Sequence, residues 1–144
     1  MADTTPPAPP QVWELPNWNS KPQVTLKTSL GDVVLELEPN AAWYSTENFL
    51  SYVNAGYYTN LLFHRVIPGF MVQGGGYKTG MVLKTPFYGA IPLETTQDSG
   101  LSNTPYTLAM ARTNSANSAT SQFFINTGNS ENTSLLDYPG QDGV

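Results

Sequence analysis

Apolar and polar side chains begin to alternate at Val24. Val24–Thr28 and Val33–Glu38 both follow the period of a half-buried strand, and Ser29-Leu30-Gly31-Asp32 between them reads as a hairpin turn. After Pro39 the period lengthens. Phe49, Tyr52 and Val53 recur at helical spacing, with Ser45 as the expected N-cap, Glu47 in the first turn and Gly56 as the stop. Two short alternating runs, Leu61–Ile67 and Phe70–Gly74, then flank Pro68-Gly69, a strong turn signal, and predict strands at about 61–66 and 70–74 that meet in a tight corner. Residues 75–105, rich in Gly, Pro, Thr and Asn, predict a long surface excursion. Thr107–Ala111 and Gln122–Asn126 are the last expected strands, separated by the polar loop 112–121.

Composition narrows the class. The 144 residues suit one domain, and only 12% are charged against 12 Gly and 12 Pro, which favours a turn-rich β domain over coiled coils or charged tails. A net charge of −5 argues against nucleic acid or an anionic membrane as partner. With no cysteine and a single histidine, His64, the chain offers neither thiolate chemistry nor a multi-His metal site, and no cofactor is expected. No apolar run approaches the ~20 residues of a membrane-spanning helix. Six of the twelve prolines fall within residues 1–22, which read as a proline-rich flexible arm ahead of a domain over 23–144. Trp13 and Trp18 are the residues there that could tack the arm down.

The candidate chemistry lies between Phe63 and Gly76, Phe-His-Arg-Val-Ile-Pro-Gly-Phe-Met-Val-Gln-Gly-Gly-Gly. Alternation puts Met71 and Gln73 on one face of their strand and Phe70 and Val72 mostly on the other. It likewise puts Gln122 with Phe124, and Phe123 with Ile125, so both faces of that run carry an aromatic ring, one for a core and one for an exposed groove. The Phe-His-Arg-x-Ile-x-x-Phe-Met-x-Gln-Gly string resembles the signature of the cyclophilin family of peptidyl-prolyl isomerases, in its bacterial branch. The resemblance runs from about Val24 to Asp137 and includes Met110-Ala111-Arg112, Gln122-Phe123-Phe124-Ile125 and Leu136-Asp137.

That resemblance implies a mainly β fold, a closed antiparallel β-barrel with a capping helix. The barrel is expected to be incomplete at the C-terminus, because the family continues past the Leu-Asp element with a strand, a helix and a closing strand. It implies Arg65 and Gln73 as catalytic residues, and Phe70, Met71, Ala111, Arg112, Gln122, Phe124 and Leu136 as substrate-binding ones. Proline-containing peptides and unfolded proteins are the expected partners. Cyclosporin is expected to bind only weakly, since Leu135 stands where tight binders carry tryptophan. The expected activity is rotation about X–Pro bonds. The alternatives are a non-catalytic module for proline peptides and, more remotely, an adaptor recognised through its N-terminal arm. His64 reads as a scaffold residue, Gly74-Gly75-Gly76 as close backbone packing rather than a phosphate loop, and the sequon Asn132-Thr133-Ser134 as a chance match. The N-terminus lacks the basic start and apolar stretch of a signal peptide. A cysteine-free chain with a proline-rich leader leans towards a periplasmic protein without its signal over a cytoplasmic one.

Overall fold

The computed structural model describes residues 21–128 and 136–137. The expectations for most of the proline-rich arm, Trp13, Trp18, the sequon and Leu135 lie outside those residues. Strands β1 (Gln23–Thr28) and β2 (Gly31–Glu36) form a two-stranded antiparallel hairpin. Helix α1 spans Trp43–Asn54. A four-stranded antiparallel sheet follows, in the order β3 (Arg65–Ile67), β4 (Met71–Gly74), β8 (Phe123–Asn126), β7 (Leu108–Met110). A smaller hairpin of β5 (Tyr77–Lys78) and β6 (Val82–Leu83), and the one-turn helix α2 (Thr96–Ser99), lie in the segment expected to be irregular. Two- and four-residue elements are too short to leave a periodic signature.

The β1–β2 register pairs Val24 with Leu35 and Leu26 with Val33, so one face of the hairpin is apolar. Val24, Leu35, Leu37, Phe49 of α1 and Phe123 of β8 make the core, with Leu108, Met110 and Ile125 packed against it. The Phe123 ring meets those of Phe49, Tyr58 and Phe63 edge-on at 5.5, 5.4 and 6.1 Å between centroids, a favoured aromatic arrangement. Beside these, Leu35, Leu37, Phe49, Leu108 and Met110 also wall a hollow of about 590 Å³ between the hairpin, α1 and β7.

The helix begins earlier than its sequence suggests. Ala42, not Ser45, is the N-cap and makes no side-chain capping bond. Instead the Glu94 carboxylate, fifty residues away, accepts from the backbone N–H of Tyr44 at 3.2 Å and of Ser45 at 2.6 Å. A distant carboxylate thus serves the orphan donors and the positive end of the helix dipole together. Glu94→Ala is expected to destabilise the fold by about 1 kcal/mol, the usual cost of a lost cap, read by urea denaturation. The other end follows the sequence. Gly56 adopts φ +69°, its N–H bonds Val53 O and the Tyr57 N–H bonds Tyr52 O, the paired bonds that close a helix on glycine.

Candidate functional site

The corner at Pro68-Gly69 forms as expected. Gly69 takes φ +72° and the Phe70 N–H bonds Ile67 O at 3.0 Å, a turn with proline preset at its second position and glycine free to take positive φ at its third. The first strand of the corner is shorter than predicted. Only Arg65–Ile67 is strand, and residues 61–64 contribute one isolated bridge, Leu61 to Lys78. Phe63 is drawn into the core instead, and His64 rests against the Tyr77 ring at 4.4 Å between centroids. Burial, then the neighbouring Arg65 charge, hold the His64 imidazole below its ordinary pKa. Among the described residues its buried Nδ1 has no hydrogen-bond partner.

Strand register assembles the site. Arg65 lies opposite Gln73, Gln73 opposite Phe124, and Phe124 opposite Ala109, so these four residues form one row across all four strands. Directly opposed residues share a face. The next row on that face is Ile67, Met71 and Asn126. On the other side of the first row the Ala111 N–H bonds Gln122 O at 2.9 Å, extending the ladder. The alternation that sends Phe123 into the core therefore puts Phe124 with Arg65, Gln73 and Met71. Both rings of the Phe-Phe pair are nonetheless buried, Phe123 at 3% exposure and Phe124 at 7%. The expected contrast between a core ring and a groove ring is one of face, not of exposure.

Hydrogen bonds run along the polar side of the row. Gln73 Nε2 donates to Gln122 Oε1 at 3.0 Å, and Arg65 Nη1 reaches Gln73 Oε1 at 3.5 Å, a long contact. The guanidinium is exposed, the glutamines are half-buried, and Met71 and Phe124 on the same face are buried, so the cation stands at the open edge of a face whose apolar side chains lie beneath the surface. Glycine is required beneath this pair. A Cβ on Gly76 would lie 2.6 Å from Cγ, Cδ and Nε2 of Gln122, and only displacement of that side chain would relieve it. Gly76→Ala is expected to leave the far-ultraviolet circular dichroism unchanged and to shift the Gln73 and Gln122 side-chain amide signals in NMR, through displacement of Gln122.

The remaining expected residues are placed less uniformly. Phe70 is half-buried at the exit of the turn, before the strand begins, and its carbonyl accepts from the Thr127 N–H at 3.0 Å. Arg112 lines the hollow behind β7, and its Nη1 donates to Thr113 O. Its side chain is thus bound up with the core side, and only the backbone beside Ala111 continues the ladder. Leu136 is half-buried, next to Asp137. The Asp137 carboxylate accepts from Ser102 Oγ, from the Asn103 N–H at 2.9 Å and from Asn103 Nδ2 at 2.8 Å. Burial pushes this carboxyl up, but the three hydrogen bonds outweigh it and leave its pKa below the ordinary value.

Two groups of residues lacked a sequence signal. Ser121 Oγ donates to Gly75 O at 2.8 Å, and the Tyr58 hydroxyl donates to Ser121 O at 2.7 Å. Together they fix the turn into β8 that carries Gln122. The buried Asn103 and Asn126 form the second group, joined by Asn126 Nδ2 to Asn103 Oδ1 at 3.0 Å. Among the described residues no cluster of His, Asp and Glu could hold a metal ion.

Comparison with known proteins places these features in a wider group. The model of the family described as cyclophilin type peptidyl-prolyl cis-trans isomerase/CLD matches residues 23–138. A peptidyl-prolyl cis-trans isomerase of Acinetobacter baylyi is 52% identical over 103 residues, 72% of this chain and 53% of its own. Peptidyl-prolyl cis-trans isomerase A of Dickeya dadantii is 45% identical over 119 residues, 83% of this chain and 60% of its own. The chain thus spans between 53% and 60% of the length of these two relatives. Among solved structures, a Cryptosporidium parvum cyclophilin type isomerase in the presence of the dipeptide Ala-Pro superposes with a TM-score of 0.66 at 29% identity. That match covers 85% of this chain and 73% of the other.

Proposed function

The chain belongs to the cyclophilin-type peptidyl-prolyl cis–trans isomerase family, and from that premise we propose that it accelerates rotation about X–Pro bonds in unfolded or extended polypeptides. The observation that carries this reading is the row Arg65–Gln73–Phe124 with Met71 in the next row, an exposed cation linked to Gln73 on the same sheet face as two buried apolar side chains.

Amide resonance sets a barrier of ~18–20 kcal/mol to this rotation. No bond to carbon breaks, so neither nucleophile nor general base is needed. In the twisted imide the prolyl nitrogen recovers its lone pair, and a donor aimed at it is worth more there than in the planar ground state. Arg65 is that donor, because its guanidinium keeps its charge and offers a rigid fork. Gln73 and Gln122 orient it and the substrate carbonyl. Phe70, Met71, Phe124 and Leu136 hold the proline ring, and the backbone at Ala111 and Arg112 takes the residues preceding it. Going from ~10⁻² to ~10³ per second is five decades, or ~7 kcal/mol, within reach of one charge-assisted bond plus orientation and exclusion of water.

We also take the β1–β2 hairpin and the four-stranded sheet as parts of one closed antiparallel barrel, a reading supported by the core they share through Val24, Leu35 and Phe123. The partners are proline-containing peptides and unfolded chains, with cyclosporin a weak ligand. The periplasm is the favoured compartment and the cytoplasm the alternative, the preference resting on the proline-rich leader together with the cysteine-free composition.

A protease-coupled assay on an Ala-Pro peptide tests the activity. A first-order phase whose rate rises with protein concentration supports it. A flat trace accompanied by peptide-induced NMR shifts would instead mark a binding module that does not catalyse.

A further inference from the structure

The buried polar residues beside the site form a single chain. Asn126 is opposite Met71 and two residues beyond Phe124 on the same strand face. At 2% exposure it donates to Asn103 Oδ1 at 3.0 Å and, through the same nitrogen, to Thr107 Oγ1 at 3.0 Å. Asn103, at 5% exposure, gives both its backbone N–H and its Nδ2 to one oxygen of Asp137, while Ser102 Oγ bonds the other. On the far side Thr96 Oγ1 donates to Asp137 O at 2.9 Å. Leu136 is covalently next to Asp137, so its backbone position is set by bonds that end on the strand holding Phe124 and pairing with Met71.

We propose that Asp137 is a positioning residue for the proline pocket: through Asn103 and Asn126 it clamps the segment carrying Leu136 to the strand face carrying Phe124. The proposal rests on the isomerase reading only in taking Leu136 as a wall of that pocket.

A clamp and a merely structural network predict different kinetics. An ion accepting several hydrogen bonds in a part-buried site is held tightly, and its loss frees the wall without touching Arg65. The floor and the cation remain, so substrate affinity falls while the chemical step is preserved.

The test measures KM and kcat on an Ala-Pro peptide, and peptide Kd by NMR titration, for the full chain and its variants. Asp137→Ala is expected to raise KM and Kd about tenfold, the effect of losing hydrogen bonds to a charged group, with kcat changed less than about twofold. Leu136→Ala is expected to match it, and the double variant to be no worse than Leu136→Ala alone, since both act through one wall. Asp137→Asn keeps an acceptor for Asn103 but loses the charge and the second acceptor, and is expected to raise KM and Kd a few-fold, between wild type and Asp137→Ala. Should Asp137→Ala not fold, Ser102→Ala and Asp137→Asn carry the test, each with KM raised a few-fold and kcat unchanged. Wild-type KM in the folded variants, losses that simply add in the double variant, or a fall in kcat with KM unmoved overturn the clamp. Failure of the reading beneath it looks different: no turnover or peptide binding by the wild-type chain, or an Arg65→Ala variant as active as wild type.

Discussion

Arg65→Ala is expected to lower the rate of Ala-Pro isomerisation by about a hundredfold, the scale on which removal of one preorganised transition-state donor is felt, while peptide Kd rises only a few-fold. The split follows from where the guanidinium stands. It is exposed at the end of a cross-strand row and makes one long contact with Gln73, so it contributes little to packing. On the proposed mechanism its value appears only when the imide twists and the nitrogen lone pair needs a donor. Arg65→Lys keeps the charge but loses the planar fork, and its rate falls between the two. Equal losses in rate and affinity would refute the transition-state role, and an unchanged rate would remove Arg65 from the mechanism altogether.

Phe123→Ala and Phe124→Ala separate stability from function at adjacent positions. Phe123 is 3% exposed and meets three aromatic rings from α1, the segment after it and the segment before β3. Truncating it removes the centre of that cluster and costs about 3–5 kcal/mol, a large share of a small domain's stability. Thermal unfolding reads this as a drop of roughly 10–20 °C. Phe124 faces the row of Arg65 and Gln73. Its truncation is expected to raise peptide KM about tenfold or more by opening the apolar floor, with a smaller loss of stability than at Phe123. If both variants lose stability equally and KM is unmoved in Phe124→Ala, the assignment of the two faces is wrong.

Those faces were legible without coordinates because a strand repeats every two residues. Gln122 with Phe124, and Met71 with Gln73, could be grouped from alternation alone. The helix over Phe49, Tyr52 and Val53, its stop at Gly56, the hairpin after Thr28 and the Pro68-Gly69 corner likewise follow from local periods and backbone chemistry. Local rules misplaced the helix start, because its cap is Glu94, and no window around Ser45 contains it. They also extended the strand before Ile67 over residues 61–64, because alternating apolarity does not distinguish a strand edge from Phe63 packing into a core.

The string of candidate site residues was legible through its resemblance to the family; by itself the sequence determined the strands' faces and the turn chemistry. Both of these depend on interactions between residues a few positions apart. Only the tertiary structure decided that Arg65, Gln73 and Phe124 stand in one row, that Gln122 needs the space above Gly76, and that Asp137 is tied through Asn103 to Asn126. Those relations depend on register and on contacts between residues as many as 51 positions apart (Gln73 and Phe124). Which polar groups meet when such segments close on one another is set by burial of the whole chain, not by any local preference.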